Sequence, residues 1–233
     1  MMDKYILLIE TATDACSVAL AKNSETIAEK YINEPKAHAS VIGGYVTDIL
    51  AENGITMADC SAVAVSKGPG SYTGLRVGVS IAKGLCYGAG KPLISACTLA
   101  TIAQLAIDNN LYTGEGDFLI IPMIDARRME VYTANFNSKG EQLTPVEAKI
   151  LDENSYAAEL AAGPVLFTGN GAEKFKELVG DNPNAFFVPQ SPHANGMRAI
   201  ASAKLEAGDF EDIAYFEPFY LKDFVAGKPK KLL

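Results

Sequence analysis

A glycine-rich segment, Ser66–Leu85, limits most strongly what this chain can fold into. The apolar run Ala62–Val65 before it predicts a buried strand, and Gly-Pro-Gly then predicts a tight turn. A helix is expected from about Gly74, capped by Ser71 or Thr73. Each glycine inside a helix costs about 1 kcal/mol relative to alanine. Repeated glycines therefore indicate that another helix, or a ligand at the helix N-terminus, lies very close.

Two known phosphate or nucleophile loops do not fit this segment. A Walker loop needs four residues between its glycines followed by Lys-Ser/Thr, whereas five residues separate Gly68 from Gly74. A hydrolase nucleophile elbow needs glycine two residues on either side of the serine, and Ser71 has proline and threonine there. A general anion or nucleotide contact stays open. Its candidate residues are Glu10, Thr11, Gly70, Ser71, Arg76 and Asp125.

Composition and charge exclude several classes of function. The chain has 233 residues, and 48% of them are hydrophobic, as is usual for a globular protein. Its net charge of −8 argues against a chain whose main role is to bind nucleic acid, because such binding depends on neutralising phosphates. The basic Lys228–Lys231 run is expected to be a solvated terminus. Four cysteines and two histidines show no metal-ligand spacing. The N-terminal apolar run, Tyr5–Ile9, is too short for a signal peptide or membrane span, so we expect a cytoplasmic protein with no membrane association.

The order of the predicted elements indicates a duplicated α/β unit. An apolar strand ending at Glu10 is followed by a second strand, Cys16–Leu20, and the apolar run Phe118–Ile124 ending at Asp125 is followed by a strand over Glu130–Phe136. We predict two similar lobes, residues 1–108 and 109–233. Other predicted helices cover His38–Glu52, Leu99–Ile107, Gly171–Val179 and Gly196–Glu206, and other predicted strands cover Thr26–Ile32, Pro92–Ala96, Val165–Phe167 and Ala185–Val188.

Several motifs together resemble the TsaB (YeaZ) family, whose members are needed to make threonylcarbamoyladenosine in tRNA. The resemblance extends from the first strand to about residue 225. It is carried by Ile9-Glu10-Thr11-Ala12, by residues 67–78 (Lys-Gly-Pro-Gly-Ser-Tyr-Thr-Gly-Leu-Arg-Val-Gly), by Ala82-Lys83-Gly84-Leu85 and by residues 125–132 (Asp-Ala-Arg-Arg-Met-Glu-Val-Tyr). Residues 218–222 (Pro-Phe-Tyr-Leu-Lys) match the family's Pro-x-Tyr-Leu-Arg, with lysine in place of arginine.

The resemblance implies the two-lobed fold of actin, hexokinase and Hsp70, and a role as a partner rather than a catalyst. The related transferase, TsaD, carries a metal-binding His-x-x-x-His motif, whereas here Ile42 follows His38 at that spacing. The family resemblance implies a heterodimer with TsaD, docking of the ATPase TsaE, and tRNA contact only through the complex. In the absence of TsaD we expect a homodimer, because a self-complementary surface suits a two-fold interface. The resemblance implies no cofactor of the chain's own, and leaves open whether ATP or ADP lies at the partner interface.

The partner surface is predicted on the two glycine-containing helices, because small residues allow close helix packing. Its residues are His38, Val41, Ile42, Tyr45, Val46, Ile49, Leu75, Val79 and Lys83. An ATP-dependent phosphotransferase using Glu10 and Asp125 is the alternative function; a protease and direct tRNA capture are two weaker ones. The sequence leaves open whether Arg127 and Arg128 touch a ligand or pair with acids such as Glu130.

Overall fold

The computed structural model describes residues 3–34 and 37–222, and these residues form two lobes with one sheet each. Its first sheet has the order β3-β2-β1-β4-β5. The strands are β1 (Tyr5–Glu10), β2 (Ala15–Lys22), β3 (Glu25–Asn33), β4 (Cys60–Gly68) and β5 (Leu93–Cys97). β1 to β3 are antiparallel, while β4 and β5 run parallel to β1.

The second sheet repeats this plan. Its strands are β6 (Leu119–Asp125), β7 (Glu130–Thr133), β8 (Phe136–Asn137), β9 (Glu147–Ile150), β10 (Val165–Thr168) and β11 (Ala185–Val188). The main path is β9-β7-β6-β10-β11. β7 is antiparallel to the central strand β6, β9 is antiparallel to β7, and β10 and β11 run parallel to β6. Both lobes therefore share strand order and direction, and the predicted duplication and the actin–hexokinase–Hsp70 fold class are confirmed.

The helices cover these sheets because the central strands are apolar on both faces. In β1, Leu7 and Ile9 face one core with the first two helices, whereas Ile6 and Leu8 face another. The helices are α1 (His38–Glu52), α2 (Tyr72–Ala89), α3 (Thr98–Asp108), α4 (Ala157–Ala162), α5 (Ala172–Val179) and α6 (Arg198–Ala207), with a 3₁₀ turn at Ala194–Met197. Within the described residues, no helix combines the length and apolar character needed to span a bilayer.

The C-terminal part of the chain returns to the first lobe, which differs from the predicted division at residue 108. Ala194, Met197 and Ala201 pack in the core that contains Ile6 and Leu8. In contrast, α3 packs in the core of the second sheet. The chain then continues as an extended segment, residues 209–222, here called the C-terminal strap. The physical reason is apolar burial: the face of the first sheet opposite α1 and α2 needs a cover that only the later chain supplies.

Two local predictions are corrected and two elements were not predicted. The strand expected over Glu130–Phe136 splits into β7 and β8, because the backbone of Asn135 bonds to residues of the 143–144 turn instead of continuing the ladder. The last helix begins earlier than Gly196, as the 3₁₀ turn. The missed elements are β9, a polar edge strand without apolar alternation, and α4, which has only six residues.

Candidate functional site

Glu10 lies at the end of β1, and its carboxylate is buried inside the first lobe. The side chain has no exposed surface, and its Oε1 accepts a hydrogen bond from the Ala12 amide at 2.7 Å. Oε2 has no partner among the described residues. Burial raises the pKa of Glu10 to about 7, against the opposing effect of the Ala12 amide and the Ser66 hydroxyl. The Glu10 carboxylate is therefore not exposed to solvent.

The N-terminal half of α2 packs directly on the turn that follows Glu10. A Cβ atom at Gly70 would lie 2.3 Å from the carbonyl oxygen of Ala12, and one at Gly74 would lie 2.2 Å from that of Thr11. The Ser71 amide donates to the Ala12 carbonyl at 2.6 Å. The structure thus brings Glu10, Thr11, Gly70 and Ser71 together, as the sequence predicts, but as a packed junction of backbone on backbone.

A small cavity opens beside this junction, between the first turns of α1 and α2. Its volume is about 350 Å³, and its lining includes Asp14, His38, Ser71 and Thr73. Ser71 caps α2 by accepting a hydrogen bond from the Gly74 amide at 3.3 Å. His38 is almost fully buried, and its Nε2 donates to the Thr13 carbonyl at 2.8 Å. His38 is therefore occupied in holding the turn, and the Asp14 carboxylate opposes an anion here.

Arg76 and Asp125, the remaining candidate contacts, each bind elsewhere in the chain. The Arg76 guanidinium stacks 4.2 Å from the Tyr72 ring centroid, and its Nε donates to the Tyr220 hydroxyl at 3.0 Å. Asp125 is exposed, and its Oδ1 accepts from the Lys174 ammonium and the Arg127 amide, both at 2.6 Å. Glu10 and Asp125 end equivalent strands of the two lobes, yet one is buried and the other is a surface ion pair.

The predicted partner stripe is mostly core, which corrects the sequence interpretation. Ile42, Val46, Ile49, Leu75 and Val79 are buried between α1, α2 and the first sheet. Val41 and Tyr45 are partly buried against the same core. Burial follows from the helical periodicity itself, because the broad apolar stripe of an amphipathic helix faces its own sheet. The five buried side chains are not available to a partner in this conformation.

Lys83 is also engaged within the chain. Its Nζ donates to the carbonyl oxygens of Ala214 and Phe216 at 3.2 and 3.1 Å. Nearby, the Phe219 amide bonds to the Lys67 carbonyl at 2.7 Å. Lys83 and Arg76 thus fix the C-terminal strap on α2. The strap contacts were missed because residues 83 and 214 are far apart in sequence and the strap contains no periodic element.

The outward faces of α1 and α2 carry small side chains instead of the predicted apolar ones. Gly43 and Gly44 on α1, and Gly84 and Gly88 on α2, are exposed, and a Cβ atom at any of them would meet nothing within 4 Å. Ala39, Val77, Ser80 and Ile81 line a shallow depression on this side. We call these eight residues the small-residue face. Unlike Gly74 and Gly78, the glycines of this face contact no part of the chain that the structure describes closely enough to require glycine.

Metal ligation has no basis in the described part of the chain. No group of three or more histidine, cysteine, aspartate or glutamate side chains there is arranged to hold an ion. The four cysteines are free thiols, and burial raises the pKa of Cys16, Cys60 and Cys86 to about 11. The basic tail at Lys228–Lys231 lies outside the described residues.

Comparison with known proteins identifies the family. The model of the TsaD family, described as tRNA N6-adenosine threonylcarbamoyltransferase, matches residues 25–226. The tRNA threonylcarbamoyladenosine biosynthesis protein TsaB of Escherichia coli K12 is 34% identical over 96% of both chains, and that of Bacillus subtilis 168 is 32% identical over 76% of this chain and 75% of its own. The solved structure of YeaZ from Pseudomonas aeruginosa is similar with a TM-score of 0.79 and 27% identity, covering 94% of this chain and all of that one. The chain therefore belongs to the TsaB (YeaZ) family, within the wider group that the threonylcarbamoyltransferase model describes.

Proposed function

We propose that this chain is a non-catalytic subunit required for forming N6-threonylcarbamoyladenosine in tRNA, at the adenosine 3′ of the anticodon in tRNAs that read codons beginning with A. The observation that carries the proposal is the small-residue face. Four exposed glycines within two helices cost about 1 kcal/mol each relative to alanine. Among residues 3–34 and 37–222 nothing compensates that cost, since a Cβ atom at each of these glycines would meet no other group within 4 Å. A partner helix that packs on these glycines would do so.

The proposed partner is the transferase subunit TsaD, in a heterodimer that the ATPase TsaE then joins. Small residues at a helix interface let two backbones approach closely. A chain with the same doubled fold could place its own α1 and α2 equivalents against this face by a two-fold arrangement. In the absence of that partner, a second copy of this chain would occupy the face as a homodimer.

The residues at the start of α1 support a non-catalytic role for this chain. Ile42 stands where the transferase family has its second histidine, and it is fully buried. His38, the remaining member of that pattern, is held by the Thr13 carbonyl. The histidine pair of the related transferase is therefore incomplete on this helix, since His38 is present and its expected partner position holds Ile42.

A nucleotide between the two lobes does not fit the described residues. The backbone positions that would approach a phosphate, Gly70 and Gly74, are already in contact with Ala12 and Thr11. Glu10 is buried, and Asp125 is paired with Lys174. These contacts argue against an active phosphotransferase using Glu10 and Asp125. We propose that the chain has no cofactor of its own, and that any ATP or ADP would lie at the partner interface. Because the proposed substrate is tRNA, we propose that the chain acts in the cytoplasm.

Reconstitution with one component omitted tests the proposal. TsaD, TsaE, ATP, threonylcarbamoyl-adenylate synthase with threonine and bicarbonate, and unmodified tRNA are incubated with and without this chain, and nucleosides are counted by mass spectrometry. Modified adenosine is expected only when the chain is present. Equal product without it would refute the proposed role, and calorimetry with Mg-ATP on the isolated chain would then test the phosphotransferase alternative.

A further inference from the structure

The tip of the β6–β7 hairpin presents two neighbouring arginines in an unusual backbone conformation. Arg127 and Arg128 have φ values of 68° and 50°, in the left-handed region that residues with a Cβ atom rarely adopt. Both are exposed. A hairpin of this kind commonly takes asparagine, aspartate or glycine at such positions. The sequence instead places two cationic side chains there.

The hairpin is held in place by contacts that leave both arginine side chains unused. The Asp125 carboxylate accepts from the Arg127 amide at 2.6 Å. The Lys174 ammonium binds Asp125 Oδ1 and the Arg128 carbonyl, both at 2.6 Å. These are bonds to the arginine backbones, not to their guanidinium groups. The tip is therefore ordered without the two positive charges.

The acids nearest to the tip in its hydrogen-bond network are already paired with lysines. Lys174 forms an ion pair with Asp125, and Lys222 at the end of the C-terminal strap forms one with Glu130. Neither arginine has an ion-pair partner among residues 3–34 and 37–222. Within the described ranges the two positive charges thus remain uncompensated, on a chain whose net charge is −8.

We propose that Arg127 and Arg128 bind a phosphodiester of the RNA backbone when the chain is part of its complex, an inference that rests on the proposed function. The planar guanidinium matches phosphate oxygens in a bidentate geometry. Because the backbone of the tip is already held, binding would have to fix only the two side chains. Both are exposed, which suits the backbone of a polymer better than a free nucleotide, because small ligands generally need a concave site.

The neighbouring strap supports an RNA surface at this place. Lys222 joins the tip to the strap, and two residues earlier Tyr220 receives the Arg76 hydrogen bond and lies beside the Tyr72 ring, with centroids 4.8 Å apart. Basic side chains next to aromatic rings are typical of RNA-binding surfaces. The acidic remainder of the chain explains why RNA would be held only locally and through the assembly.

The test compares a variant that removes the charges at the hairpin tip with a control variant that removes two charges at the opposite ends of the strands. R127N/R128N removes both charges and keeps residues that tolerate the left-handed conformation. K4Q/K139Q removes two exposed charges at the opposite ends, since Lys4 precedes β1 and Lys139 follows β8, which pairs with the start of β6. Binding of unmodified tRNA to the assembled complex with the transferase subunit is measured by fluorescence anisotropy across a KCl series.

We expect R127N/R128N to weaken tRNA binding about 10-fold and to lower the slope of log affinity against log salt concentration by about 1. K4Q/K139Q should bind tRNA as the wild type does. R127K/R128K should recover most of the salt dependence. Unchanged binding by R127N/R128N, equal weakening by both neutral variants, or failure of R127N/R128N to co-elute with the transferase subunit would overturn the inference. A loss of fluorescent ADP binding without loss of tRNA binding would also overturn it.

The reconstitution separates this inference from the proposed function. If the chain is dispensable in the reconstitution, the proposed function fails. If the chain is required but R127N/R128N behaves as the wild type, only this inference fails.

Discussion

Gly78 and Thr11 touch across the junction between α2 and the end of β1: a Cβ atom at position 78 would lie 2.2 Å from the Thr11 hydroxyl oxygen and 3.1 Å from its methyl carbon. The Thr11 Cβ atom, which rotation about χ1 does not move, would lie 3.2 Å away. The glycines of α2 therefore fall into two groups. The turn after Glu10 requires the first group, whereas no contact of the described residues requires the second group, which lies on the small-residue face.

The first prediction separates these two groups by alanine substitution. Gly78→Ala should lower the free energy of unfolding by about 1–3 kcal/mol, because it overpacks the junction. Gly84→Ala should raise it by up to about 1 kcal/mol, since it adds only helix propensity in open space. Urea unfolding measures both. Adding Thr11→Ala to Gly78→Ala should recover much of the loss; additive effects in that double-mutant cycle would contradict the contact.

The second prediction concerns the small-residue face. Gly84→Leu should leave the chain folded but should abolish pairing with the transferase subunit and with a second copy of the chain. Light scattering after size-exclusion chromatography measures both. Ala161→Leu on α4 is the matched control, an exposed helical position in the other lobe, and should pair normally. Normal pairing by Gly84→Leu would move the partner surface elsewhere.

The third prediction follows from the buried carboxylate of Glu10, whose pKa is raised from 4.5 to about 7. The folded state binds a proton that the unfolded state releases between these two values, so stability should fall as pH rises from about 4.5 to about 7 and then level off. The full effect is about 3 kcal/mol. Glu10→Gln should remove this slope, so that the two proteins differ most at pH 8. Parallel pH profiles in urea unfolding would show that Glu10 is not the titrating group.

The fourth prediction tests the C-terminal strap. Lys83→Met removes the two hydrogen bonds to the Ala214 and Phe216 carbonyls while keeping an apolar stem. Proteolytic cleavage and amide exchange within residues 209–222 should increase several-fold, with little change in the overall melting temperature. Lys91→Met provides the control, because Lys91 makes the same kind of bond, to the Ala58 carbonyl at 2.6 Å, away from the strap. Equal protection in both variants would show that Lys83 does not hold the strap.

The amino-acid sequence by itself determined most of the elements and the doubled plan of this protein. Apolar runs ending in Glu10 and Asp125 indicated equivalent strands, and helical spacing placed α1 at His38–Glu52. Local signals were sufficient there, because the spacing of apolar residues within one short segment indicates whether it forms a helix or a strand. The weakly apolar β9 and the short α4 carried no such signal.

Only the tertiary structure decided which faces point inward. Periodicity locates an apolar stripe but does not say whether it meets the chain's own sheet or a partner, so Ile42 and Val79 are core rather than interface. Likewise, Glu10 and Asp125 stand at equivalent positions in sequence, yet Glu10 is buried whereas Asp125 forms a surface ion pair with Lys174. Contacts between distant segments, such as Lys83 with the strap, arise from packing of the whole chain, and that packing has no local signature in the sequence.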